Sequence, residues 1–478
     1  MIILGINGTS HDASISLIED GNILFAGHSE RYSKIKNDWY NCQELFDDAF
    51  QYGYPDQIAY YEKPWLKKSR LLFGGASDWK PKFKTKFDTS KIKITNFNHH
   101  YSHAAAGYFT SEFDDAVIVV LDSVGEWTTS SIYNGENNKI NLLEKQTYPF
   151  SFGLFYSAFT QLVGLKPNEE EYIMMGMAGY GDWKKYYKEV IEYFPDVSTQ
   201  KYNFHKGIHD WPYNIFEKDK FDIAAAVQKV YEIRLIDFML KAKQISGKKN
   251  LVFMGGCALN CSANTQLWQV FNNVWIMPNP GDAGSSLGAA AALYGKHIKW
   301  EGPYLGHDLG GKYPVDAILE QLKENKIAAV ASGRAEYGPR AFGNRSILAD
   351  PRDPEIKNRV NKIKERQEFR PFAPVVLEHL ADKWFDMPTT SIPYMQYAVK
   401  CKRPNEIPSV VHVDGTSRVQ TVNEKQHPGL YRVLNKFYLE TGVPVLLNTS
   451  LNIKGQPLLN DKDDIINWEK RYNTKILI

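Results

Sequence analysis

Short apolar runs separated by turn residues open the chain: IILGI, ASISLIE and ILFAGH within residues 1–28, parted by the polar loop NGTSHD and the tight turn Asp20-Gly21-Asn22. Runs of this length between such turns predict three strands joined as a meander. The same grammar returns at 116–147. There AVIVVLD leads into a SVGEW turn, then TTSSIYN, a second tight turn expected at Asn134-Gly135, and INLLEKQT. From Asn7 to Gly21 is a step of 14 residues and from Asp122 to Gly135 one of 13, so the two copies keep nearly one register and read as a duplication.

Periodicity of the helical kind appears elsewhere. His100 to Ser111 is alanine-rich and free of proline, which predicts a helix, and His99 and His103, four apart, would leave one face of it about a turn apart. That spacing can chelate a metal, and Asp122 at the end of the next apolar run is a natural third ligand; a histidine pair by itself more often decorates or caps a helix. LVFMGGCALNCSANTQL reads as a strand, a turn at Gly255-Gly256 and a helix start with Asn260, suited to close approach by the adenosine part of a nucleotide, and PGDAGSSLGAAAALYG places Asp282 at the head of a small-residue helix. Short Gly, Ser and Thr loops, here with Asn7, Gly8, Ser123 and Gly125, point backbone N–H groups at an anion from two sides. Paired loops of this kind resemble those of the actin and sugar-kinase superfamily, which clamp nucleotide phosphates.

Residues 150–220, rich in Tyr, Trp and charge, are less regular, and a long helix is expected from Phe221 to Ile245. The glycines and prolines of Trp300–Pro314 suggest a linker, dividing the chain into units 1–305 and 306–478. The second unit alternates short strands (IAAVAS, FAPVVLEH, YMQYAVKC, VPVLLN) with helices such as 428–441, an α/β pattern.

Bulk properties narrow the class. At 478 residues with a formal charge of +2, the chain has the make-up of a globular protein with no net pull toward nucleic acid or membrane. The first residues lack the features of a signal peptide, and no run reaches the ~18–20 apolar residues of a membrane span. Cys42, Cys257, Cys261 and Cys401 are too few and scattered for a disulfide framework, so a cytoplasmic enzyme is expected.

The stretch from Arg334 to Arg370 gathers Arg334, Arg340, Arg345, Arg352, Arg359, Lys364, Arg366 and Arg370 among glycines and prolines. Arg418 and the Asn448-Thr449-Ser450 turn add polar groups at strand ends. Fixed guanidinium groups match phosphate bidentately. A solvated surface is an equal reading, and RNA binding a third.

With these residues in hand, the chain resembles the nodulation and antibiotic O-carbamoyltransferase family, often called NodU/CmcH. The resemblance rests on GINGTSHDASISLIEDG, HHYSHAAAGYF, LDSVGEW, EEYIMMGMAGYG, FMGGCALNCSAN, PGDAGSSLGAA, GPRAFGNRSILADPR, NKIKERQEFRPFAPVV, DGTSRVQTV and PVLLNTSLNIKGQP, in that order. It implies an α/β fold: an actin/sugar-kinase-like duplicated N-terminal domain holding a metal, and a C-terminal YrdC-like domain that forms carbamoyl adenylate from carbamoyl phosphate and ATP. The metal ligands would be His99, His103, Asp122 and Asp282, a set suited to Fe(II), Mn(II) or Zn(II), with iron favoured by the resemblance. His11, beside Asp12, would be the general base toward a hydroxyl acceptor such as a sugar or nucleoside. Arg340, Lys364, Arg370, Arg418 and Ser450 would bind carbamoyl phosphate and the phosphates of ATP, which travels with Mg2+; Arg345 and Asn448 belong to the same motifs. Ser123 stands where the family usually has glycine, Ile173 where lysine is common, and the chain stops soon after NIKGQPLLN, which leads one to expect a missing lid or last strand. Acceptor contacts are expected around 30–80 and 150–220. A homodimer is compatible with all of this; membrane is excluded and nucleic acid disfavoured. The rival readings are a threonylcarbamoyl-type enzyme acting on tRNA, and an ATP-switched binding protein of the actin type.

Overall fold

The computed structural model describes residues 1–9, 11–73, 86–198, 202–472 and 475–478. Ser10 of the first loop and residues 74–80 and 199–201 of the expected acceptor regions therefore lie outside the described residues.

Among the described residues the N-terminal half holds ten strands: β1 (Ile2–Asn7), β2 (Ser14–Glu19), β3 (Asn22–His28), β4 (Gln57–Tyr60), β5 (Lys93–Asn96), β6 (Asp115–Gly125), β7 (Thr128–Glu136), β8 (Lys139–Thr147), β9 (Asn250–Met254) and β10 (Asn273–Trp275). They form two five-stranded sheets of one plan. In the first, ordered β3-β2-β1-β4-β5, β1, β2 and β3 are antiparallel neighbours while β1, β4 and β5 run parallel. In the second, ordered β8-β7-β6-β9-β10, β6 takes the place of β1. The duplication read from the sequence is thus present, and each copy adds two parallel strands to its meander. β1 and β6 are buried along nearly their whole length, as continuous Ile/Val/Leu runs covered on both faces should be.

Two small-residue helices, His99–Thr110 and Ser285–Tyr294, pack against each other. Their approach depends on Gly288: a Cβ there would stand 1.8 Å from the Ser102 carbonyl oxygen. This close crossing brings the histidines of the first helix next to Asp282, just ahead of the second.

The C-terminal half contains β11 (Tyr304–Asp308), β12 (Ile327–Ala331), β13 (Arg334–Glu336), β14 (Arg345–Ala349), β15 (Ala373–Leu377), β16 (Ala398–Lys400), β17 (Thr416–Arg418), β18 (Gln420–Val422), β19 (Val445–Ser450) and β20 (Ile476–Leu477). A mixed sheet, β18-β15-β19-β14-β12-β20, forms its centre, with the last residues of the chain as one edge strand. One apolar core runs from Val117 and Phe155 through Leu251 to Leu447 and Leu477, so the two halves share buried surface.

Four local expectations differ. The second hairpin turns at Asn137-Asn138, both with positive φ, because β7 extends through Asn134 and Gly135. The SVG segment is no free turn: β6 continues to Gly125 with an irregular register after Leu121. Residues 150–220 include the helices Phe152–Leu162, Glu171–Ala178 and Tyr187–Tyr193, and the long helix spans Glu217–Ser246. The expected linker carries β11, paired antiparallel with β13.

Candidate functional sites in two places

The first site is built where β1, β6 and the two small-residue helices meet. His99 and His103 are a turn apart on their helix, and their Nε2 atoms face each other at 3.1 Å. Asp122, in the irregular end of β6, brings Oδ2 to 3.1 Å from His99 Nε2 and 3.6 Å from His103 Nε2. Asp282 brings Oδ1 to 3.3 Å from both. All four side chains are buried. Burial works against charge on His99, but Asp282 and Asp122 outweigh it and hold the ring up at about 10. Burial and Asp282 would lift the Asp122 carboxyl; His103 and His99 override them and keep it well below the usual carboxylate range.

The donor set fits a divalent cation. Four ligands ~2.0–2.1 Å from a common centre are ~3.3–3.4 Å apart when tetrahedral, and the five separations above run from 3.1 to 3.6 Å. His103 Nδ1 is 3.3 Å from the Ser285 hydroxyl, the kind of outer contact that fixes a ligand's tautomer. Glu126 accepts the backbone N–H of Lys63 at 2.6 Å and that of His99, tying the start of the histidine helix to the β6–β7 turn. Neither Ser285 nor Glu126 was singled out in the sequence; Glu126 carried a signal only in following the SVG run. Gly125 is needed for a reason other than phosphate: a Cβ there would lie 2.2 Å from the His99 ring.

At the mouth of the cluster, His11 is half exposed, with Nδ1 3.0 Å from Asp12 Oδ2 and Nε2 3.7 Å from Asp282 Oδ2. Burial would lower its pKa, and Asp282, Asp12 and Asp122 raise it to about 10. Asn7 ties this loop to the cluster through bonds from Nδ2 to the Asp12 and Asp282 carbonyls. The Gly8 carbonyl accepts from the Tyr60 hydroxyl at 2.8 Å. Ser123 donates its N–H to Asp122 Oδ1, Gly256 sits beside the same carboxylate, and Gly255 turns the chain between them and β9.

The second site is a cavity of about 460 Å³ between the halves. Arg366, Arg370 and Arg418 line one wall, and Tyr172, Gly176 and Trp183 belong to the other. Burial, then Arg370 and Arg418, pull the Arg366 guanidinium down to about 8; burial and Arg418 pull Arg340 down to about 9. Among the described residues the salt bridges of arginine are made instead by Arg234, Arg352, Arg403 and Arg471. Clustered guanidinium groups without carboxylate partners form a receptor for an oxyanion. Lys364 is buried near them, where burial, Arg366 and Arg370 hold its ammonium well below the usual range. Its Nζ donates to the Ser450 carbonyl, to Ser450 Oγ at 3.1 Å, and to the backbone and side-chain oxygens of Asn452 at 2.9 Å.

The structure thus brings Lys364 to Ser450 and places Arg370 and Arg418 in one cavity. Arg366, part of the basic run but not picked from it, joins them. Asn260 hydrogen-bonds Gln228 of the same cavity lining. Arg345 must be corrected: it is fully buried, and its Nη atoms donate to the carbonyls of Ser332, Gly333, Asn344, His307 and Asn460. With its fork committed to the backbone it pins loops together and has no face left for phosphate. Asn448 is likewise internal, donating to Ala341 O and Gln420 Oε1.

Two family models match, the carbamoyltransferase N-terminus over residues 61–291 and the carbamoyltransferase C-terminus over 319–478. The chain belongs to the carbamoyltransferase family. This carbamoyltransferase is 30% identical to an uncharacterized protein of Synechocystis, over 97% of this chain and 93% of that one. It is 30% identical to nodulation protein NolO of Bradyrhizobium diazoefficiens, over 77% and 75%, and 28% identical to nodulation protein U of Sinorhizobium fredii, over 95% and 94%. Among solved structures, full-length HypF in its phosphate- and nucleotide-bound form overlays with a TM-score of 0.34 and 13% identity, covering 61% of this chain and 55% of that one. No described helix of the carbamoyltransferase is long and apolar enough to cross a membrane.

Proposed function

We propose that this carbamoyltransferase is an ATP-dependent, metal-containing O-carbamoyltransferase whose two sites divide the reaction. Residues 306–478, the YrdC-like unit, form carbamoyl adenylate, and residues 1–305 deliver the carbamoyl group to a hydroxyl of a small-molecule acceptor. The observation that carries this reading is the pair of chemically opposite sites: a His/Asp cluster fit for a cation, and an arginine cavity fit for phosphates.

In the arginine cavity, water releases carbamate and phosphate from carbamoyl phosphate; a carbamate oxygen then attacks the α-phosphorus of ATP and pyrophosphate leaves. Arg370, Arg366 and Arg418 neutralise the phosphates and Lys364 fixes the Ser450 turn beside them, while Arg340, outside the cavity lining, spends its Nη atoms on the Tyr394 and Leu259 carbonyls and so binds no phosphate directly. In the transfer site the acceptor oxygen attacks the carbamoyl carbon and AMP leaves. His11, which Asp282, Asp12 and Asp122 raise to about 10, takes the hydroxyl proton in its neutral form once a cation on Asp122 and Asp282 offsets those carboxylates, and Asp12 orients the ring. A divalent cation held by His99, His103, Asp122 and Asp282, iron by resemblance, would supply Lewis-acid stabilisation of the departing phosphate. Asn7 holds the loop of His11 and Asp12 against the cluster where the adenylate is delivered.

Incubation with carbamoyl phosphate, Mg2+-ATP and Fe(II), Mn(II) or Zn(II) tests the reading. Pyrophosphate should appear and should vanish in Lys364→Ala; none from the intact chain with any metal refutes adenylation.

A further inference from the structure

The EEYIMMGMAGYG segment has so far no part in the chemistry. It forms the helix Glu171–Ala178, continued by the helical backbone of Gly179. Tyr172, Gly176 and Tyr180 follow at steps of four and therefore share a face. Each meets the C-terminal half at a different point. The guanidinium of Arg370 lies 4.8 Å over the Tyr172 ring, the Gly176 carbonyl accepts from His412 Nε2 at 3.0 Å, and the Tyr180 hydroxyl donates to the Phe369 carbonyl at 3.1 Å. Phe369 directly precedes Arg370, and His412 opens the turn that leads through Asp414 into β17 and Arg418. One helix face of the N-terminal half thus grips both segments that carry cavity arginines.

Arg370 depends on this grip in a way that Arg366 does not. Arg366 is anchored by Nε to Asn361 at 2.6 Å and stacks on Phe372 at 4.0 Å, inside its own half. Arg370 instead rests on the Tyr172 ring and hydroxyl from across the seam, drawn by Tyr172 and more weakly by Glu170 of the same segment and repelled by Arg418, with no salt bridge to a carboxylate among the described residues. A long charged side chain in that position loses its direction once the ring is removed.

We propose that Tyr172 is a positioning residue for adenylation: it holds the Arg370 guanidinium toward the cavity, so the phosphate-binding site of the C-terminal half is completed by the N-terminal half. The ligand class is a phosphate or pyrophosphate group of donor or nucleotide. This rests on the adenylation reading above, and the test separates the two.

Binding of inorganic pyrophosphate is measured by calorimetry for the full chain, Tyr172→Phe, Tyr172→Ala, Arg370→Ala and the Tyr172→Ala/Arg370→Ala pair. Tyr172→Ala should weaken binding about three- to tenfold, with Tyr172→Phe between it and the parent chain. Added to Arg370→Ala, it should cost nothing further, a coupling that general loosening of the fold would not give. Parent-like binding by Tyr172→Ala, or an equal loss in both backgrounds, overturns the proposal. If the couplings hold but carbamoyl phosphate and ATP give no pyrophosphate, the adenylation reading fails and the positioning role of Tyr172 stands.

Discussion

His99 and His103 present their Nε2 atoms to each other across 3.1 Å in a buried site. Two neutral acceptor nitrogens at that distance repel, and two imidazolium rings repel more strongly. Asp122 and Asp282, each within 3.6 Å of both nitrogens, make the arrangement stable only as a shared proton network or around a cation. The nearly equal spacing of the donors favours the cation.

Lys364 separates an open binding cation from a structural one. Its Nζ joins Ser450 and Asn452 within the turn after β19, close to Arg366 and Arg370. Lys364→Ala should reduce pyrophosphate release by about 10²-fold or more. Lys364→Arg should rescue little, since a planar fork does not match four oxygens arranged around one ammonium. Steady-state assays of pyrophosphate release check both; near-parental rates for Lys364→Arg would show that charge alone suffices.

Arg345 predicts the opposite behaviour. Loss of its five carbonyl contacts in Arg345→Ala leaves buried acceptors unpaired and should destabilise the chain by about 3 kcal/mol or more. Pyrophosphate affinity of the folded fraction should stay near that of the parent. Thermal unfolding and calorimetry on the same samples distinguish this from a ligand-binding role.

His427 caps the helix Pro428–Thr441 by accepting the Leu430 N–H at Nδ1, and its Nε2 donates to Asn344 Oδ1. Burial keeps this neutral ring's pKa at about 4. The unfolded chain, with histidine near 6.5, binds more protons between those values. The contribution is therefore complete above pH 6.5 and is lost as pH falls toward 4, by up to about 3 kcal/mol. His28, held at about 4 by burial and Arg31, acts in the same window. His427→Asn, which retains a capping oxygen, should flatten the slope of denaturant unfolding between pH 7 and pH 4, to which His28, His100 and His412, also lowered by burial, contribute as well. An unchanged slope would mean that His427 charges without cost.

Local pattern made much of this legible. The meanders, the histidine helix, Asp122 at a strand end and the 428–441 helix follow from periodicity and turn residues, which act over a few positions. Asp282 came through resemblance, because its approach to the histidines depends on the Gly288 crossing of two helices far apart in the chain. Arg345 was misread because a guanidinium in a glycine-rich loop looks alike whether it faces a ligand or five carbonyls. Tyr172 and Glu126 act across seams between elements, and no local spacing encodes such a seam. The Asn134-Gly135 turn yielded to Asn137-Asn138 because pairing with β6 and β8 carries β7 onward to Glu136.

The separation of the two sites is tested most directly by metal content and pyrophosphate release measured on the same preparations of the parent chain, His99→Ala and Asp282→Ala after reloading with a divalent metal. The parent should hold about one ion per chain and each variant far less, while all three release pyrophosphate from ATP and carbamoyl phosphate within about threefold of one another. Equal metal in all three, or pyrophosphate release that disappears with the metal, would contradict a division between a cation site for transfer and an arginine site for activation.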